Sequence, residues 1–181
     1  MIGDSPIGGI ILPVYYKPSL TSDDVIDALA KFIAPFCSGS TIVRTQGNRT
    51  PFPGSPCIVL REVLQVDLST PVCRTFYDYL MSQITTPTRI DIQVDFYGSS
   101  AGEQCKAIKS VLRTEYATNK FPHGIKPLYA SDGMQMPFAT GEEQYEMRWV
   151  LTISLQYNAS LIVPQDSASF LSVNRIIPVW S

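Results

Sequence analysis

Between Arg89 and Tyr97 the chain alternates without a break: Ile90, Ile92, Val94 and Phe96 take one parity, and Arg89, Asp91, Gln93 and Asp95 the other. Period-two alternation with β-branched residues dictates a half-buried strand, apolar towards a core and polar away from it. Gly98-Ser99-Ser100 ends it. Ser100 followed by Glu103 has the spacing of a capping box, in which hydroxyl and carboxylate each satisfy a backbone N–H at a helix start. Ala101, Cys105, Ile108, Leu112 and Tyr116 then recur at helical spacing, so one stripe faces a core. A strand feeding an amphipathic helix is the nucleus of a sheet covered on one face. The expected class is therefore α+β: a single domain with a mainly antiparallel or mixed sheet and helices packed on one face.

A second alternating run lies downstream. Tyr145, Met147, Trp149, Leu151, Ile153, Leu155 and Tyr157 share one parity, and Glu146, Arg148, Thr152, Ser154 and Gln156 share the other. A strand of that length spans roughly 43 Å, against a diameter of about 40 Å for a compact domain of this size. It must cross the whole domain, bend, or project towards a neighbour. Whether it pairs with strand 89–97 is open, because the connection between them allows either arrangement.

The rest divides around these elements. Residues 1–20, with Pro6, Pro13 and Pro18, read as an extended arm, residues 21–157 as the core domain, and residues 158–181 as an extension packed on the domain or on a neighbour. Thr21-Ser22-Asp23-Asp24 is a helix start, with a hydroxyl cap and acids where the dipole favours them. Val25, Ile26, Leu29, Phe32 and Ile33 follow at helical spacing until Pro35 and Gly39 end the helix. Thr41–Thr45 is a short strand running into a Pro- and Gly-rich loop at 46–54. In Cys57–Val66, Ile58, Leu60, Leu64 and Val66 share a parity that Glu62 interrupts; either a bulge falls there or both faces are partly covered. In 67–88, Val72, Phe76, Tyr79 and Leu80 have helical spacing, so a short helix or an irregular connection fits. Asn119–Glu143 carries too many Pro and Gly residues for a long regular element. It also carries Leu128, Tyr129, Met134, Met136 and Phe138, which a solvated loop has no use for, and long connections are often functional. It is expected to dock on something.

Composition narrows the function. Charged residues are 17% of the chain, below the roughly 25% usual in soluble domains. Two readings follow: a surface covered by other subunits, or a monomer with a Ser/Thr/Asn-rich exterior. A net charge of -2 argues against a dominant footprint for nucleic acid or anionic membrane. No run reaches the roughly 20 apolar residues of a spanning helix, and Met1–Pro6 lacks the basic start of a signal peptide. Folding in a reducing cytoplasm is expected, and no membrane partner. Cys37, Cys57, Cys73 and Cys105 form no C-x-x-C pair, so neither zinc nor a disulfide framework is indicated, and Cys105 reads as core packing. The sequons at Asn48 and Asn158 mean nothing without secretion.

Chemistry is sparse. The single histidine, His123, sits between Pro122 and Gly124 and reads as incidental. Asp91 and Asp95 share a strand face about 13 Å apart, beyond the roughly 5–9.5 Å of paired glycosidase carboxylates. A solvated face or a subunit contact suits them better. No phosphate-binding glycine loop, dinucleotide fingerprint or nucleophile elbow occurs, so no cofactor and no catalytic residue is expected. Lys106, Lys109 and Arg113 make a basic stripe that is either a solvated helix face or a row facing a partner or a DNA channel. Arg44 and Arg49 carry the same ambiguity.

Several stretches taken in order point to a family. They are Arg44-Thr45-Gln46-Gly47-Asn48-Arg49, Ile92-Gln93-Val94-Asp95-Phe96-Tyr97-Gly98, Leu112–Ala117, Pro127–Asp132, Gln135-Met136-Pro137-Phe138, Gln144–Trp149 and Leu155-Gln156-Tyr157-Asn158. Over roughly residues 20–175 this order resembles the neck or tail terminator proteins of tailed bacteriophages. The resemblance implies a non-enzymatic virion protein, assembled in the host cytoplasm. It implies a ring, usually hexameric, that ends the tail tube and docks it to the head connector, with DNA passing through the lumen without sequence recognition. The partners so implied are copies of the chain, the tail tube and any sheath, and the connector. Met134, Met136 and Phe138 are the expected contact residues, with Asp91, Gln93 and Asp95 on an exposed sheet face. Arg44, Arg49, Lys106, Lys109 and Arg113 are expected at polar ring or lumen contacts. A head-completion or tail-completion adaptor is the nearest alternative, and a small cytoplasmic enzyme a distant one.

Overall fold

The computed structural model describes residues 16–45, 54–76, 81–139 and 145–164. The alternating run at 89–97 is the inner half of a longer strand, β4 (Met81–Tyr97), and it lies between β2 (Cys57–Asp67) and β7 (Tyr145–Pro164). β4 and β7 pair antiparallel along their whole shared length, from Met81 opposite Pro164 to Tyr97 opposite Arg148. They form the backbone of a mixed seven-stranded sheet of order β1-β2-β4-β7-β5, with β1 (Thr41–Arg44) parallel to β2 and the other pairs antiparallel.

Helices cover one face, as the patterning requires. α1 (Ser22–Ile33) begins with a capping box at Thr21 and Asp24 and buries Val25, Ile26, Leu29, Phe32 and Ile33. A 3-10 turn at Ala34–Phe36 ends it. α2 (Ala101–Leu112) buries Ala101, Cys105, Ile108 and Leu112. Both pack on Ile58, Leu60, Ile90, Ile92, Val94, Phe96, Leu151, Ile153 and Leu155. Each such side chain, fully removed from water, contributes about 1.5–3 kcal/mol. The short α3 (Glu115–Lys120) closes the layer, with Phe32 stacked on Phe121 at 5.0 Å between ring centroids.

Four local expectations need correction. Ser100 stands at the N-cap of α2, but its side chain makes no capping bond. Its φ of -92° and ψ of 4° are not the extended conformation that aims a hydroxyl at the first turn. Tyr116 does not continue the buried stripe: α2 stops at Leu112, and Tyr116 is exposed on α3. Residues 67–88 are not helical where described, because Val72–Phe76 forms β3 and pairs antiparallel with the first residues of β4. The connection at 119–143 is largely strand, with β5 (Ile125–Ala130) and β6 (Met134–Ala139) both pairing with β7. Pro127 and Pro137 are tolerated there because these are edge strands.

Of the two readings of Cys57–Val66, the bulge is the one present, between Glu62 and Leu64. It has a consequence that the parity alone conceals. Before it, Ile58 and Leu60 face the helices; after it, Leu64 and Val66 stand opposite Asp91 and Arg89, on the other face. β4 and β7 also outrun the helix layer. Seventeen residues of β4 extend roughly 56 Å, so β3, the outer part of β4 and the end of β7 project as a three-stranded ribbon.

Candidate assembly interface

The face turned away from the helices can be read row by row across the register. Arg89, Asp91, Gln93 and Asp95 of β4 lie beside Gln156, Ser154, Thr152 and Val150 of β7. Most of these polar groups are satisfied within the chain. The Asp95 carboxylate accepts hydrogen bonds from Gln93 at 2.9 Å and from the Arg148 guanidinium at 3.0 Å. Ser154 donates to Asp91 at 2.6 Å, and Arg89 lies 3.3 Å from the same carboxylate oxygen. The Arg148 guanidinium also lies over the Tyr97 ring at 5.9 Å. The centre of this face is a polar spine that bonds largely to itself, with the Nε atoms of Arg89 and Arg148 buried without a hydrogen bond.

Apolar flanks border the spine on both sides. On the β2–β3 side, Leu64, Val66 and Val72 stand in register with Asp91, Arg89 and Thr85, and all three are exposed, Val72 to 61%. Met81 and, on the end of β7, Ile162 (57% exposed) continue this surface over the ribbon. On the opposite side Tyr129 stands beside Ser154, Met134 beside Val150 and Met136 beside Arg148. Met134 is 53% exposed and Met136 40%. Exposed apolar patches of this kind often mark contact sites.

Comparison with known families decides what kind of protein carries this surface. The family model described as phage neck terminator protein matches residues 23–178, most of the chain. The chain belongs to that family. Its place is accordingly the neck or tail of a phage virion, in a structural role among other head and tail proteins. No match is found among curated proteins.

Within this neck terminator protein the expected contact residues separate into three groups. Met134 and Met136 sit together on the exposed flank. Phe138 follows on β6 opposite Glu146 in register, and its side chain lies outside the described part of the structure. Asp95 does not belong to an exposed face: it is 1% exposed and held by Gln93 and Arg148. Asp91 and Gln93 are half-buried in the same spine. These three side chains tie β4 to β7 and to one another.

The cations divide similarly. Arg44 is bonded to Asp23, tying β1 to the start of α1. Lys109 pairs with Asp132 and holds that carboxyl below its ordinary range, tying α2 to the β5–β6 turn. Lys106 and Arg113 are exposed, and Arg113 caps the end of α2. Arg49 lies outside the described residues. Leu64 and Val66 of β2 escaped the sequence reading as exposed-face residues because the bulge inverts the parity of β2. The spacing of Val72 and Phe76 also imitates a helix.

Other concavities carry little chemistry. A groove of about 460 Å³ between α1 and α3 is lined by Asp24, Lys31, Phe32, Tyr116 and Lys120. Asp24 is already engaged with Thr21, whose hydroxyl and backbone N–H hold its carboxyl below the ordinary value. Burial pushes the Cys37 thiol up to about 11 and raises that of Cys105, the opposite of an activated nucleophile. Among the described residues no three His, Cys, Asp or Glu side chains are grouped to hold a metal, and no helix is long and apolar enough to cross a membrane.

Proposed function

We propose that this neck terminator protein works as a subunit of a closed ring, hexameric as the family resemblance implies, at the junction of tail and head. One face of the ring seats on the last ring of the tail tube, and on the sheath where one exists, and so stops polymerisation. The other face receives the head connector, and DNA passes through the lumen without sequence recognition. Lys106 and Arg113, the cations that the described structure leaves exposed on α2, are assigned to polar contacts at the ring or its lumen. The mechanism is geometric and makes or breaks no covalent bond, and assembly takes place in the host cytoplasm.

The observation that carries this reading is the pair of apolar flanks on either side of a largely self-bonded polar spine. A head-to-tail ring needs two different complementary patches on each subunit, and the flanks offer two. Imaging of particles assembled without this protein tests the assignment. Tails of uncontrolled length, or complete tails that never join heads, are expected. Tails of normal length already attached to heads would refute it.

A further inference from the structure

A small slot of about 240 Å³ lies between α2, the turn that joins β5 to β6, and the Trp149 indole. Gly102, Gly133 and Cys105 line it together with the charged Lys106, Lys109 and Asp132. We infer that this slot seats one apolar side chain beside a carboxylate, presented by an acidic segment of an adjoining head or tail protein. The inference rests on the assignment of Lys106 to a polar contact, for which it names the ligand, and not on closure of the ring.

The walls of the slot are built before anything enters it. The Ser131 N–H donates to the Thr152 carbonyl at 2.8 Å, and the Ser131 hydroxyl accepts from the Thr152 N–H at 3.0 Å, which ties the turn to β7. The Lys109–Asp132 pair ties the same turn to α2. Neither Gly102 nor Gly133 has a positive φ, so close approach is what calls for glycine at both. A Cβ on Gly102 would stand 3.0 Å from the indole, and one on Gly133 2.6 Å from the Cys105 sulfur. A site held in shape this way costs less to fill. Its volume falls below the roughly 300–1,000 Å³ of small-molecule pockets, which suits a single side chain better than a cofactor.

The chemistry of the slot is one-sided. The indole and the two glycines offer apolar surface, and Cys105 belongs to the buried core. Asp132 is the one carboxylate in the lining, and Lys109 already holds it. The Lys106 ammonium is exposed. Among the described residues neither that ammonium nor the Trp149 indole N–H has an acceptor. Two open donors beside an apolar wall are satisfied by a carboxylate next to an apolar group, and its charge strengthens both bonds. The family places the chain among head and tail proteins, so the carboxylate is assigned to a protein segment.

Two heptapeptides test the slot: Ser-Gly-Asp-Phe-Asp-Gly-Ser, and the same peptide with asparagine in place of both aspartates. Each is titrated into the full chain carrying Trp180→Phe, which leaves Trp149 as its one indole, and into the wild-type chain as a check on that substitution. The acidic peptide should change Trp149 fluorescence at about tenfold lower concentration than the neutral one, the difference expected of a charge-assisted hydrogen bond. Lys106→Met, at an exposed position, should lower the affinity for the acidic peptide to that for the neutral one, which should itself not move. Equal affinity for the two peptides, a Trp149 that responds to neither, or a preference that survives Lys106→Met overturns the inference. N-acetylphenylalanine binding as tightly as the acidic peptide overturns the assignment to a protein segment. In finished particles a photo-crosslinking residue at position 106 should mark an acidic stretch of another virion protein, and a mark on a second copy of this chain overturns the choice of partner. Each of these failures leaves the ring untouched, because oligomeric state is read separately by native mass spectrometry.

Discussion

Asp95 on β4 accepts a hydrogen bond from Arg148 on β7 at 3.0 Å, joining positions 53 apart in the chain on the face that no helix covers. Asp95 is almost wholly buried, and the side chain of Arg148 is about one-fifth exposed. Removing one member of such a pair strands the other charge. Arg148→Met is expected to cost about 3 kcal/mol, or roughly 10 °C in Tm at this chain length. Adding Asp95→Leu should restore most of that loss, because two apolar groups of similar volume need no partner. Thermal unfolding of the single and double variants checks this, and equal Tm values for the two would contradict it.

A second expectation concerns Gly133, in the turn between β5 and β6. A Cβ there would stand 2.6 Å from the Cys105 sulfur on α2. Gly133→Ala should therefore cost about 1–3 kcal/mol by overpacking. Cys105→Ala makes room, so the double variant should lose less than the sum of the singles. Urea denaturation of the four chains measures the coupling, and strict additivity would show that the turn yields freely.

The capping box at the start of α1 gives a pH-dependent expectation. Thr21→Ala should cost about 1 kcal/mol at neutral pH. Asp24 has its carboxyl held below its ordinary value of 3.8 chiefly by the Thr21 hydroxyl. A lowered folded-state pKa means that its contribution is complete above the usual carboxylate range and is lost as pH falls through the lowered value. The gap in Tm between wild type and Asp24→Ala should accordingly be full at pH 7 and shrink below about pH 4. A gap that widens towards acid would reverse the sign of the argument.

Thiol labelling probes the ribbon directly. Cys37, Cys57 and Cys105 are buried, and Cys73 on β3 is exposed. One thiol per chain should react quickly with a small aromatic disulfide in the native state, and all four after denaturation. Rapid reaction of two or more thiols in the folded protein would mean that the core described around α1 and α2 opens on the labelling timescale.

Much of the core was legible from residue order. The stripes of α1 and α2 and the parity of β4 and β7 each specify a buried face, and those faces meet as their periods require. The bulge at Glu62 announced itself by breaking parity. What could not be read locally was anything decided by pairing. β3 is a strand because β4 extends far enough to accept it, although Val72 and Phe76 have helical spacing. β5 and β6 are strands in a Pro- and Gly-rich stretch because β7 offers them an edge. The exposure of Met134 and Met136 was legible from their oddity as apolar residues in a stretch rich in Pro and Gly. Asp95 was misjudged, since alternation says which face a side chain takes but not whether a neighbouring arginine will close over it.

The account stands or falls on whether the flanks of this sheet are covered by copies of the chain. Native mass spectrometry of the purified wild-type protein over a range of concentrations measures that most directly. The expected spectrum is a single closed species at a fixed integer multiple of the chain mass. A monomer at every concentration, or an open ladder of oligomers with no preferred size, would contradict it.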